Sequence, residues 1–213
     1  MSYPTSPAFN AINLKSESPT LFSEAVNGRQ QSRKIGGQKW TFTASYAPLT
    51  RTEFNPVFAF VVSQQGRHGV FAVVPTGISS TNGTASGTVT TSAATLGAAS
   101  VTVSGLTGAL KAGDLVKFSG HTKVYMLTAD RAGNGAMAFT PPLIAAVSSS
   151  DTVIYTNVPF TVRLANDIQS YKLSVGNFFK YEVDFIEALS WAALFTPAPL
   201  PNLLKIRSLK RIW

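Results

Sequence analysis

The sequence predicts a mainly β protein with one flanking helix, a small β-barrel inserted into the main part, and an extended C-terminal arm. Three observations carry this reading. Several short runs alternate apolar and polar residues with the period of a half-buried strand. One stretch, after Thr50, repeats apolar residues at helical spacing. From about Ile78 to Ser104 the composition shifts to Gly, Ser, Thr and Ala, and short alternating runs between turn residues follow.

Ala8 to Gln38 mixes short apolar patches with polar spacers, and Phe9, Ile12 and Leu14 alternate loosely. Arg29-Gln30-Gln31-Ser32-Arg33-Lys34 reads as a β-hairpin arm or an exposed strand, with a turn at Gly36-Gly37. Lys39 to Tyr46 places Trp40, Phe42 and Ala44 on one face and Lys39, Thr41, Thr43 and Ser45 on the other. Thr50 followed three residues later by Glu53 is a capping-box signature. Phe54, Val57, Phe58, Val61 and Val62 then form the apolar stripe of a helix packed on the sheet. Pro56 requires the first helical turns, and Gly66 is expected to supply the left-handed cap. Val70 to Val74 is a buried strand stopped by Pro75.

Within the Gly/Ser/Thr-rich region and beyond it, strands are expected at Ser100–Val103, Leu115–Phe118, Lys123–Thr128, Ala136–Phe139 and Thr152–Tyr155. About five short strands with turns between them predict a small barrel. Phe160–Leu164 and Tyr171–Val175 alternate again. In Phe179–Glu187, Phe179, Tyr181, Val183 and Phe185 share one face, and Lys180, Glu182 and Asp184 the other. The chain therefore divides into a discontinuous main domain over residues 1–77 and 158–194, an inserted barrel over 78–157, and an extended arm over 195–213. The insert sets Lys111, Lys117, Lys123 and Arg131 against Asp114, Asp130 and Asp151, so it carries +1 and the remainder +7 of the net +8.

Composition narrows the function. With no Cys, disulfides, thiolate metal sites and a Cys nucleophile are excluded, and two His argue against a His-rich metal site. Charged residues make up 13%, against about 25% in an ordinary domain. A surface so poor in charge points to coverage by other subunits. No apolar run approaches the roughly 20 residues of a membrane span, so no membrane anchor is expected. The first residues lack the basic and apolar regions of a secretory signal. A soluble protein made in a reducing cytoplasm is the expectation. No Gly-x-Ser-x-Gly elbow, P-loop or His-x-x-x-His pair occurs, so neither an enzyme nor a cofactor is expected.

Two basic clusters are the candidate interface residues. Arg29, Arg33 and Lys34, with Lys39 nearby, form a solvated hairpin face, an inter-subunit arm or the lining of a DNA channel. The last is disfavoured, because a channel that passes DNA quickly should not grip phosphates tightly. Lys205, Arg207, Lys210 and Arg211 alternate partly with Leu204, Ile206, Leu209, Ile212 and Trp213. That pattern suits an arm that clasps a neighbouring subunit by adding a strand to its open edge. Two other readings are a nucleic-acid-binding protein using the basic surface and an OB-like barrel, and a carbohydrate-binding module with Tyr125 and Tyr155 as platforms.

The order of motifs resembles a known family. It runs through Gly28-Arg29-Gln30-Gln31-Ser32-Arg33, Gly37-Gln38-Lys39-Trp40-Thr41-Phe42-Thr43 and Pro48-Leu49-Thr50-Arg51 before a Phe-rich helix. Gly66-Arg67-His68-Gly69-Val70-Phe71 and Tyr181-Glu182-Val183-Asp184-Phe185-Ile186-Glu187 complete it. This looks like the tail-tube-like domain of tailed-phage distal tail and baseplate hub proteins. Leu110 to Phe118 and Pro141-Pro142-Leu143 look like the small barrel that some phage structural proteins carry. The resemblance implies a β-sandwich or rolled sheet flanked by a helix, joined edge to edge into a ring, commonly a hexamer. It implies a virion protein of the phage tail, made in the host cytoplasm, whose partners are its own copies and other tail tube and baseplate proteins. DNA would cross the ring only as passing cargo.

Overall fold

The computed structural model describes residues 1–189. In chain order the elements are β1 (Ala11–Glu17), β2 (Thr20–Glu24), β3 (Gln30–Lys34), β4 (Lys39–Ser45), helix α1 (Arg51–Ser63) and β5 (Phe71–Val73). Then come β6 (Thr90–Thr91), β7 (Ser100–Ser104), β8 (Ala109–Leu110), β9 (Leu115–Phe118), β10 (Val124–Leu127), β11 (Arg131–Ala132), β12 (Gly135–Thr140) and β13 (Val153–Ile154). The last three are β14 (Phe160–Leu164), β15 (Tyr171–Ser174) and β16 (Phe178–Glu187). The described chain is thus mainly β, as the alternation predicts.

The main sheet runs β1-β4-β16-β14-β5, all neighbours antiparallel, with β15 paired to the first half of β16. Its register aligns Leu14, Phe42, Phe185 and Leu164 in one row across four strands. Side chains of a strand alternate between faces, so this row buries one face while Thr41, Thr43 and Ser45 stand on the other. Phe42 packs on Phe185 at 4.9 Å and on Phe160 at 5.6 Å between ring centres. Helix α1 covers the apolar face through buried Phe54, Val57 and Val61, with Phe54 stacked on Phe179 at 4.6 Å.

The helix start follows the sequence signature. The Glu53 carboxylate accepts from the Thr50 backbone N–H at 2.9 Å and from its hydroxyl at 2.7 Å. Pro56 falls in the second turn, on the exposed side, where water can replace the bond a proline cannot make. The helix end differs from expectation. Gln65 itself takes the left-handed conformation (φ 55°, ψ 52°), and Gly66 follows with φ +65°. The Asp167 side chain lies against Gly66, so a side chain there would collide with it. That contact, made far along the chain, decides where the glycine is needed.

The second sheet runs β13-β9-β10-β12-β7-β6. Its outer strands meet through Thr91 N–H to the Asp151 carbonyl and Val153 N–H to the Val89 carbonyl, both at 2.9 Å. The sheet thereby curls into a nearly closed small barrel, which abolishes most of its free edge. Val103, Leu110, Phe118, Tyr125, Met137 and Phe139 fill it.

Strands β9 and β10 are apolar on both faces, and the structure shows why. Val116, Phe118, Tyr125 and Leu127 point into the barrel, whereas Leu115 and Val124 belong to the main core, with Met126 and Ile154 packed against it. These strands are one wall shared by two cores.

Among the buried tyrosines are Tyr3, Tyr46, Tyr125 and Tyr181. Burial pushes the phenols of Tyr46 and Tyr125 up to about 12 from an ordinary 10.0, and those of Tyr3 and Tyr181 higher still. A pKa raised by folding means the folded state keeps its proton longer than the unfolded one. Stability is therefore intact below pH 10 and falls as pH rises from about 10 through about 12. In an alkaline titration, tyrosinate absorbance from these four should rise together with the loss of secondary structure. Full ionisation with the circular dichroism unchanged would contradict this.

Candidate interaction surfaces

The β2–β3 hairpin extends the β1–β4 pair away from the body of the sheet. Ile35 N–H donates to the Pro19 carbonyl at 3.1 Å, which links the two ribbons. The tip is tied by Ala25 N–H to the Arg29 carbonyl at 2.8 Å, with Gly28 at φ +76°. Every residue of both strands is exposed. Arg29, Arg33 and Lys34 all lie on this arm, and their side chains take part in no ion pair among the described residues. The structure thus brings three of the sequence-predicted interface residues together. The other five, Lys205, Arg207, Lys210, Arg211 and Trp213, lie outside the described residues.

The main sheet leaves two edges open. The β5 edge is closed by the N-terminal segment: Tyr3 N–H donates to the Ala72 carbonyl at 2.8 Å, and Ala72 N–H to the Met1 carbonyl at 3.1 Å. Among the described residues, β1 and β15 each pair on one side only. Strand β15 also shows Tyr171, Leu173 and, just beyond it, Val175 to solvent. It sets Lys172 directly opposite Lys180, a like-charge pair that weakens a ladder left without a partner. Open strand edges of this kind template association.

A third feature joins the barrel to the main sheet. Lys123, fully buried, donates to Gln38 Oε1 at 2.6 Å and to the Glu187 carboxylate. Glu187 also accepts from the backbone N–H of Val124 at 3.0 Å and of Trp40 at 3.1 Å. The Trp40 indole N–H donates to the Val124 carbonyl at 2.8 Å, and the Lys123 ammonium lies 5.7 Å from the Trp40 ring centre. Burial lowers the Lys123 pKa, and the Glu187 charge opposes that. Lys117 adds bonds from its ammonium to the Pro159 carbonyl at 3.0 Å and to Thr161 Oγ1 at 3.2 Å. Sequence reasoning missed this clamp. A signal was present: Glu187 has the parity of Tyr181, Val183 and Phe185, which puts a carboxylate on the apolar face.

Tyr125 and Tyr155 present no platform. Tyr125 is inside the barrel, and the Tyr155 hydroxyl donates to the Gly87 carbonyl at 2.6 Å with its ring in the barrel core. Aromatic side chains exposed for sugar stacking must therefore come from elsewhere. His121 contacts the Tyr125 hydroxyl at 3.3 Å and the Ala146 carbonyl at 3.1 Å, so it pins a loop. Among the described residues, no three His, Cys, Asp or Glu gather in a way that could hold a metal ion. None of their helices is long and apolar enough to cross a membrane.

Comparison with known proteins adds two findings. The family model described as distal tail protein pb9, B domain, matches residues 78–158, the stretch that builds the barrel. The distal tail protein pb9 of Escherichia phage T5 is 28% identical over 167 residues, covering 74% of this chain and 80% of that protein. The two matches concern the same protein kind and together extend well beyond the barrel.

Proposed function

We propose that this chain, a tailed-phage distal tail protein and so a virion component, forms a ring at the distal tail or baseplate. In this reading the ring continues the tube channel, passes DNA without reading it, and connects the tube to neighbouring tail and baseplate proteins. Its role is structural.

The observation that carries the ring is the pair of open edges, β1 and β15, at separate places on one sheet. They are different strands, so pairing one with the other on the next copy is a head-to-tail contact, the kind that closes into a ring when the rotation is right. Six copies are proposed from the family resemblance. The barrel's own core supports treating 78–157 as an insert that shares one wall with the main domain, and residues 1–77 and 158–194 as the ring-forming part.

Absolute mass by light scattering, over a range of concentrations, tests the ring. Growth to one closed oligomer, seen as a ring by electron microscopy, is expected. Open-ended polymers, or tails in which the chain is not arranged as a ring, would overturn it. The C-terminal cluster is proposed as a second contact, from its sequence pattern. Deleting Thr196–Trp213 is expected to leave circular dichroism and the melting temperature unchanged and to lower incorporation into tails. Equal incorporation of the truncated chain would remove that role.

A further inference from the structure

We infer that the β2–β3 arm docks on an acidic, partly apolar surface of a different tail protein, not on a second copy of this chain. The inference rests on the distal tail reading above. The arm has apolar side chains on both faces. Leu21 and Phe22 are neighbours on one strand and so point to opposite sides; each is 57% exposed, and Val26 and Ile35 are more so. A two-stranded ribbon standing alone is marginally stable in water. Apolar groups on both of its faces are explained by a partner that encloses it.

Charge identifies the partner. The arm carries Arg29, Arg33 and Lys34 against Glu24 alone. All ten carboxylates of the chain lie in the described residues. Asp114 and Glu187 are buried, and Asp130 is held by Lys111 at 2.8 Å. The others accept hydrogen bonds from nearby N–H or O–H groups, all but Glu17, Glu24 and Glu182. Glu24 is on the arm itself, and Glu17 sits opposite Lys39 where the arm leaves the sheet. On a second copy, itself at +8, Glu182 is the one exposed carboxylate that lies away from the arm and accepts no hydrogen bond of its own. An acidic protein surface meets them and gains the association rate that complementary charge provides. Duplex DNA supplies charge but no pocket for Leu21, Val26 and Ile35, and Phe22 alone offers a ring for stacking on bases.

The test uses the full chain in phage particles. Val26 is replaced by a photo-crosslinking benzoylphenylalanine, purified tails are irradiated, and adducts are identified by mass spectrometry. The expected adduct joins the arm to a different virion protein, at a segment rich in Asp and Glu. An adduct to a second copy, an adduct to DNA, or no adduct overturns the inference. In parallel, Arg29→Glu, Arg33→Glu and Lys34→Glu are combined. Circular dichroism and the light-scattering mass should match the unaltered chain, while incorporation into tails falls by about tenfold or more, equivalent to about 1.4 kcal/mol. A lost self-association would assign the arm to a second copy. Steeply salt-dependent binding to a duplex of about 30 base pairs, abolished by the triple change, would assign it to nucleic acid. If the unaltered chain is missing from purified tails, the distal tail reading fails. If it is present and crosslinks to itself, only this inference fails.

Discussion

Glu187→Gln should lower the unfolding free energy by about 3–5 kcal/mol, the loss expected when one member of a buried ion pair is removed. Lys123 is fully buried. Without the carboxylate its ammonium keeps Gln38 Oε1, at 2.6 Å, but faces a neutral amide where the compensating charge stood. The reverse change, Lys123→Met, should cost less. It leaves a buried carboxylate that still accepts the N–H groups of Trp40 and Val124. Combining both changes should cost well under the sum of the two, because no unpaired charge then stays inside. Equilibrium denaturant unfolding of the four proteins measures this directly. Losses below about 1 kcal/mol for Glu187→Gln, or strict additivity, would show that the pair is not what holds the barrel to the sheet.

Gly108→Ala should cost about 2–5 kcal/mol, combining the strain of a left-handed backbone with overpacking. Gly108 has φ +80°, and an added Cβ would lie 2.2 Å from the Thr84 carbonyl oxygen. That oxygen is backbone and cannot swing away as a side chain would. The approach is needed because Ala109 N–H donates to Thr84 Oγ1 at 3.2 Å and Gly133 N–H to the Gly108 carbonyl at 3.0 Å. Gly113 provides the comparison. It has φ +92° but nothing within 4 Å of the added atom, so Gly113→Ala should show the backbone term alone, about 1–2 kcal/mol. Unfolding midpoints for the two variants separate the terms. Equal losses would mean that the contact with Thr84 relaxes freely.

The parts of the fold with a long period were legible in the sequence. Strand β4 shows Trp40, Phe42 and Ala44 buried in strict alternation, and β16 does the same from Tyr181 to Glu187. The start of α1 follows from Thr50 and Glu53 because a capping box is local chemistry. Strands β6, β8, β11 and β13 are two residues each and have no period to read. The closure of the β5 edge by Met1 to Tyr3 joins segments about seventy residues apart, and neither carries a pattern that names the other. Of the candidate interface, the arm was visible as a polar, basic run that no core demands. The scarcity of free carboxylates was not, since it depends on which acids the fold occupies.

The shared wall restricts how this protein can change over evolutionary time. An insert bounded by two junctions looks like a cassette that recombination could exchange freely. Here an exchange at residues 78–158 would also remove Leu115 and Val124 from the host core, together with the cation that neutralises Glu187. A replacement cassette survives only if it brings an equivalent outward greasy strip and a cation in the same place. The barrel and its host are therefore expected to drift as a matched pair, and hybrids between distant lineages to fail at the seam and not within either half.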